Sequence, residues 1–254
     1  MSVLPESGSV VGVDVGYSTK VRSSAVCRLT WTPSVVEWRI VRFRHDEAER
    51  CAAMSAVVAD HEVIAAAFDG PLSRGFSAIG RYRVAEAALT VRLLREAIGK
   101  PGQSSSRNGR DLNAAANACV RSLTRCARLG RARHAHAIDD LALVEAFPTS
   151  FLGLMITNPG ELQIKPPARS DAYFEHLAES GGLDQLLSHL LPRRAALLSW
   201  SAVTNHDDRA ALVCALTALA VAMADYTAVG DDDDGWIILP PRHLIAPWAL
   251  GSLR

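Results

Sequence analysis

Residues 10–20, Val-Val-Gly-Val-Asp-Val-Gly-Tyr-Ser-Thr-Lys, constrain this chain more than any other stretch. The run from Val10 to Val15 is short and β-branched, and it leads to a Gly-containing turn. It reads as a buried strand over about 9–15. A carboxylate in such a strand costs several kcal/mol unless a charge or a hydrogen bond meets it. Asp14 therefore demands a partner. That partner is a metal ion, a metal carried by a phosphate, or a backbone N–H of its own turn.

With 254 residues, 49% of them hydrophobic, the chain has material for a sizeable core, which excludes disorder as a class. No run approaches the roughly 18 apolar residues of a membrane span, so no membrane partner is expected. The N-terminus has neither the basic nor the apolar region of a signal peptide. Five cysteines form no C-x-x-C pair, which fits a reduced, cytoplasmic protein. Oligomeric state leaves no mark on the sequence.

Zero net charge conceals an asymmetry. Residues 81–133 carry 12 Lys and Arg against 3 acids, whereas residues 134–254 carry 7 against 15. A basic block in an otherwise acidic chain suggests an element facing a polyanion. The plainer reading is a solvated helical face rich in arginine.

The elements expected along the chain begin with strands at about 9–15, 23–31 and 35–44, joined by short turns. That is an antiparallel meander. A helix over 46–60 precedes a second apolar strand at 61–68, which runs into Asp69-Gly70-Pro71 and is free to pair parallel with the first. Two helices, 81–98 and 111–129, flank a flexible linker at 99–109, with Asp111 as a cap. On the second helix Arg121, Arg125 and Arg128 fall on one stripe, able to grip a nucleic-acid backbone or simply to face solvent. A further strand over 139–147 carries Glu145, and Pro148 opens a helix to about 156. Helices follow at 169–180, 182–200 and 207–228. The last is rich in alanine and able to approach a sheet closely. Asp231 to Asp234 read as a solvated loop before a short apolar element at 236–239.

Acids thus sit near the ends of three expected strands, Asp14, Asp69 and Glu145, and Asp207 and Asp208 open a long helix. Carboxylates gathered at one end of a sheet repel one another and must be protonated or cation-bound. Mg²⁺ or Mn²⁺ takes such oxygen ligands together with substrate phosphates, and paired ions cleave phosphodiesters. His206, beside the acids, is a candidate general acid or base.

The order of elements resembles the ribonuclease H fold. That is an α/β single domain over 1–254, whose mixed sheet joins a three-stranded antiparallel meander to parallel strands, flanked by helices, with a basic helical insertion at 74–133. Five stretches, "VVGVDVGYS", "AAAFDGPLS", "ALVEAFPTSF", "KPPAR" and "HDDRAALVCALTA", resemble in order the predicted nucleases catalogued as domain of unknown function 429. The likeness runs from about residue 9 to 241. It implies Asp14, Asp69, Glu145 and Asp207 as metal ligands, with Asp208 beside them. It also implies Lys165 and Arg169 as basic positions that hold phosphate. The chain departs from the family at Ala210, where a further acid is usual. Either Asp207 or Asp208 takes that place, or the site is depleted.

Three functions follow. The first is a metal-dependent nuclease cutting DNA or RNA, its basic insertion gripping the backbone. The second is an actin-like phosphotransferase or ATPase, since "DVGYST" resembles a phosphate loop; this architecture usually has two related domains, and no second copy of the meander is visible. The third is a nucleic-acid-binding module on a nuclease core that has lost catalysis.

Overall fold

The computed structural model describes residues 5–58, 61–72, 81–99, 101–132, 136, 141–162 and 168–253. The meander forms as its alternation predicts: β1 (Gly8–Asp14), β2 (Ser24–Trp31) and β3 (Val35–Phe43) pair antiparallel in turn. Helix α1 (Glu47–Val58) follows. The apolar run at 61–68 divides in two. β4 (Glu62–Val63) stays outside the main sheet, tied to β1 by the Ser9 hydroxyl, which donates to Glu62 O at 2.7 Å, while β5 (Ala66–Asp69) joins β1 in parallel.

The basic segment is helical, with different boundaries from those expected. α2 (Val84–Leu89) and α3 (Arg92–Ile98) replace one helix, with Thr90 and Val91 at the break. Both are β-branched, and the Thr90 hydroxyl bonds back to Glu86 O. α4 (Arg107–Cys126) begins at Ser106, whose side chain accepts the Gly109 N–H. Asp111 is not the cap, and the last three residues of the expected linker, 107–109, are therefore helix. α4 stops at Cys126 because Ala127 turns extended, and β6 (Arg128–Leu129) pairs with β4 in a separate two-stranded sheet.

β7 (Leu143–Ala146) forms within the expected strand, whose residues 139 and 140 lie outside the described residues, and α5 (Pro148–Met155) forms as expected. α6 (Arg169–Glu179) and α7 (Gly182–Leu190) follow, and Pro192 lies just beyond α7. The rest of the expected helix is instead β8 (Ala195–Ala196) and a short 3₁₀ turn at Trp200–Ala202. α8 (His206–Ala222) ends six residues earlier than predicted, giving way to β9 (Thr227–Asp231) and β10 (Gly235–Leu239), with α9 (Pro247–Leu250) near the end. Asp232 to Asp234 make the turn between β9 and β10.

The main sheet has eight strands in the order β8-β3-β2-β1-β5-β7-β10-β9. It is mixed, and helices cover both faces, so the chain is α/β. On one face α8 lies almost against the backbone of β1. A Cβ at Gly12 would sit 2.0 Å from the Ala215 nitrogen and 2.2 Å from the Ala211 oxygen. α5 and α6 pack on α8 as well, which explains why its body is apolar all round. On the other face α1 and α4 cover Val11, Val13 and Phe68 with Met54, Val57, Ala116 and Leu123. α4 is thus part of the core as well as the basic segment. Among the described residues no helix is long and apolar enough to cross a membrane.

Candidate metal and active site

β1, β5 and β7 run parallel, so their carboxyl ends share one edge of the sheet. Asp14 stands in register with Asp69, and Asp69 with Ala146; Glu145 lies one step back, opposite Phe68. Side chains alternate along a strand. Asp14 and Asp69 therefore leave the sheet on the face that Gly12 turns to α8, and Glu145 leaves on the other. Asn205 caps α8 by accepting the N–H groups of both Asp207 and Asp208. The two acids are thereby free of the capping duty.

The electrostatics follow from this crowding. Burial, then the charges of Asp69, Asp207 and Asp208, push the Asp14 carboxyl well above the usual carboxylate range. Burial and the nearby Glu145 push Asp69 up to about 7, which His206 partly opposes. Asp208 is raised by burial and eased by Arg42, whose Nε lies 3.6 Å from Oδ1. That distance exceeds a hydrogen bond, and this buried oxygen accepts none. Cys214, on the sheet-facing side of α8, has its thiol raised by burial and then by Asp69 and Asp14.

Glu145 has a different partner. Arg83 grips it through two parallel bonds, Nη1 to Oε2 at 2.9 Å and Nη2 to Oε1 at 2.6 Å. Arg83 also donates from Nε to Glu86 at 2.9 Å and from Nη1 to Asp234 O at 3.2 Å. Glu86, fully buried, accepts the Ser104 N–H as well. The result is a buried acid–base–acid chain that ties α2 and the loop before α4 to the end of β7. Beside it a cavity of about 330 Å³ runs from Asp69 and Glu145 past Arg83 and Gln103 to the exposed ring of Tyr17.

His206, the first residue of α8, is exposed. Its Nδ1 lies 3.1 Å from both carboxylate oxygens of Asp171 on α6. With Nδ1–H donating there, Nε2 is the nitrogen left for proton transfer. Arg209 holds the same Asp171 at 3.4 Å and Glu175 at 2.8 Å.

The acids predicted from sequence are therefore neighbours, with one qualification of geometry. Among the described residues, no three of Asp14, Asp69, Glu145, Asp207 and Asp208 bring ligand atoms within 4.8 Å of one another. Their oxygen-only donor set suits a hard cation such as Mg²⁺ or Mn²⁺. The mutual repulsion at Asp14 is the charge excess that such an ion offsets. Asp14, Asp69 and the acids at the start of α8 are the residues that could hold such an ion; Glu145 already has a cation in Arg83.

The predicted basic residues are scattered. Lys165 lies outside the described residues. Arg169 opens α6, half-buried, with its guanidinium near Gly99. Arg121 and Arg125 are exposed on α4, but Arg125 bonds Glu47 at 2.7 Å. Arg128 is not on that helix: it is exposed in β6, so the three arginines form no helical stripe.

Sequence reasoning missed Arg83, Glu86 and Asp171. Arg83 and Glu86 bear the spacing of a capping pair, and both are indeed joined by one, the Arg83 N–H donating to Glu86 at 3.0 Å. Nothing in the spacing linked Arg83 to Glu145. Comparison with family models, curated proteins and solved structures gives no match to this chain.

Proposed function

We propose that this protein is a metal-dependent phosphodiesterase acting on DNA or RNA, built on a ribonuclease H-like core. The observation that carries the reading is the pairing of Asp14 with Asp69 at the carboxyl ends of the two central parallel strands, with Asp207 and Asp208 near enough to raise Asp14. The strand order β3-β2-β1-β5-β7, a meander followed by two parallel strands, is that expected of the ribonuclease H fold. The resemblance to domain of unknown function 429 points the same way.

Asp14, Asp69 and one of Asp207 and Asp208 would hold the ion. A bound Mg²⁺ or Mn²⁺ supplies a Lewis acid for the phosphate and an activated water. The other duties belong to side chains. His206, oriented by Asp171, hands a proton to the leaving oxygen from Nε2. The exposed Arg121 and the family's Lys165 and Arg169 attract the backbone. Ala210 is buried in α8, and the acids one turn before it supply the missing carboxylate. Glu145 departs from the family's implied role: with Arg83 bound to it, Glu145 positions the edge of the cavity rather than ligating the ion.

One observation favours a second reading, a binding module without catalysis. Arg83 neutralises one of the four implied ligands, as in a site that has lost an ion. The actin-like reading draws no such support, because the described residues form one large sheet with a two-stranded ribbon beside it.

The test is cleavage of single-stranded, double-stranded and hybrid nucleic acids with Mg²⁺ or Mn²⁺, comparing wild type with Asp14→Asn. Metal-dependent cutting by wild type and its loss in the variant are expected. Cutting that survives Asp14→Asn sinks the metal role. Binding to these nucleic acids with no cleavage by wild type gives the protein to the second reading.

A further inference from the structure

At the far end of α8 from the acids, three side chains converge from three parts of the chain. His189 lies in the last turn of α7, Asp225 follows α8, and His243 lies in a 3₁₀ turn at Arg242–Leu244. One ligand atom of each lies within 4.8 Å of the other two. His189 Nε2 is 2.7 Å from Asp225 Oδ2, and the two imidazole rings are 4.0 Å apart at their centroids. The 17 residues of α8 put about 25 Å between this cluster and the acids.

We propose that His189, Asp225 and His243 form a binding site for a divalent transition metal, with Zn²⁺ the best fit. A single imidazolium on Asp225 already completes an ion pair. It gives no reason for a second imidazole to come within van der Waals range of the first, and two protonated rings there repel. A divalent cation is the partner that uses all three groups as electron-pair donors together. Two nitrogens and one carboxylate oxygen select borderline metals over Mg²⁺. Three protein ligands leave a fourth position for water, and the site faces solvent: the His189 and Asp225 side chains are 35% and 45% exposed.

The backbone presents the ligands rigidly. Ala224 adopts φ 55°, a left-handed conformation rare for a residue with a Cβ. This turn lets the Asp225 N–H close back on Ala220 O at 3.0 Å, which fixes the carboxylate under the end of α7. Pro240 and Pro241 lead stiffly into the turn that carries His243. Tetrahedral Zn²⁺ with bonds of about 2.0–2.1 Å needs donors roughly 3.3 Å apart. Side-chain rotation supplies that closure without moving the helices. The metal would staple α7, the end of α8 and the segment after β10.

The test uses full-length, tag-free protein stripped with a chelator and titrated with Zn²⁺ by calorimetry, with thermal melting alongside. One Zn²⁺ per chain and a chelator-reversible rise in melting temperature are expected. His243→Ala and Asp225→Asn should each weaken Zn²⁺ at least about tenfold, since each removes one of three ligands. Asp14→Asn should leave it unchanged. Substituting Co²⁺ should give the intense visible absorption of four-coordinate geometry. Wild type that binds no Zn²⁺, or His243→Ala that binds it as tightly as wild type, overturns the proposal. Because His243 is exposed, its removal leaves the fold in place; His189→Gln serves as a second check.

Discussion

Asp14 would carry opposite consequences for stability and for the proposed metal site. Its carboxyl is buried and crowded by Asp69, Asp207 and Asp208. Without a bound cation, ionising it costs folding energy. Asp14→Asn keeps the shape and removes the charge. The variant should therefore melt higher than wild type in chelator, by about 2–4 °C for each 1 kcal/mol relieved. Mn²⁺ should raise the melting temperature of wild type and leave the variant unmoved. A variant that melts lower in chelator would mean that Asp14 is held by hydrogen bonds rather than strained by neighbours. Arg83 predicts the reverse. It is the shared cation of buried Glu145 and Glu86. Arg83→Met leaves two buried carboxylates facing each other and should cost about 3–5 kcal/mol in urea unfolding. Glu145→Leu on top of it should recover part of the loss, because removing the orphaned charge is then favourable. If the double variant is no more stable than Arg83→Met, the Arg83–Glu145 pair is not the source of the cost.

Among the elements, α8 and β1 form the contact that sets the site's dimensions. Gly12 admits α8 so closely that even a methyl group would meet helix backbone at 2.0 Å. Backbone cannot rotate aside as a side chain does. Gly12→Ala should therefore push α8 off the sheet, cost upwards of about 3 kcal/mol, and abolish any Mn²⁺-induced shift by carrying Asp207 and Asp208 away from Asp14. Retention of that shift at wild-type size would break the link between helix contact and site. The same elements show what a sequence makes legible. β1 to β3 were readable because apolar and charged residues alternate, and β5 and β7 because apolar runs end at acids. α8 was readable as a helix able to approach the sheet closely, from its alanines. Ends set by neighbours were not readable: α8 closes at Ala222 because the chain must turn into β9, and α4 closes at Cys126 because Arg128 and Leu129 find β4. The arginine stripe failed for that reason. The gathering of Asp14 and Asp69 at one edge of the sheet was legible because acids that close apolar runs fall at strand ends. Arg83 was not, because its burial depends on a fold that brings together residues 62 positions apart.

For the whole molecule, the acid cluster makes stability depend on pH in the direction opposite to that of most carboxylates. A salt-bridged carboxylate has a lowered folded pKa and stabilises above its unfolded value. Glu49 is of that kind: Arg44 draws it down to about 2, so its contribution vanishes only in strong acid, and its exposure keeps it small. Asp14, Asp69 and Asp208 are all raised. The fold holds their protons at a pH where the unfolded chain, with Asp near pKa about 3.9, has released them. Stability then falls as pH rises wherever the folded state binds more protons. The window opens near pH about 4 and, for Asp69, closes at about 7; the raised Asp14 adds a loss of the same sign. A divalent cation bound there would take the place of the missing protons, so its stabilisation would grow as the protons leave. In chelator the melting temperature should be lower at about pH 8 than at about pH 5. Millimolar Mn²⁺ should reduce that difference, acting more strongly at the higher pH, and Asp14→Asn should show a shallower pH slope than wild type. A chelator-treated protein that grows more stable from about pH 5 to about pH 8 would mean that the carboxylates are already neutralised within the fold. The edge of the sheet would then be a closed ion-pair network, with Arg83 and Arg42 as its cations, rather than a place prepared for a metal.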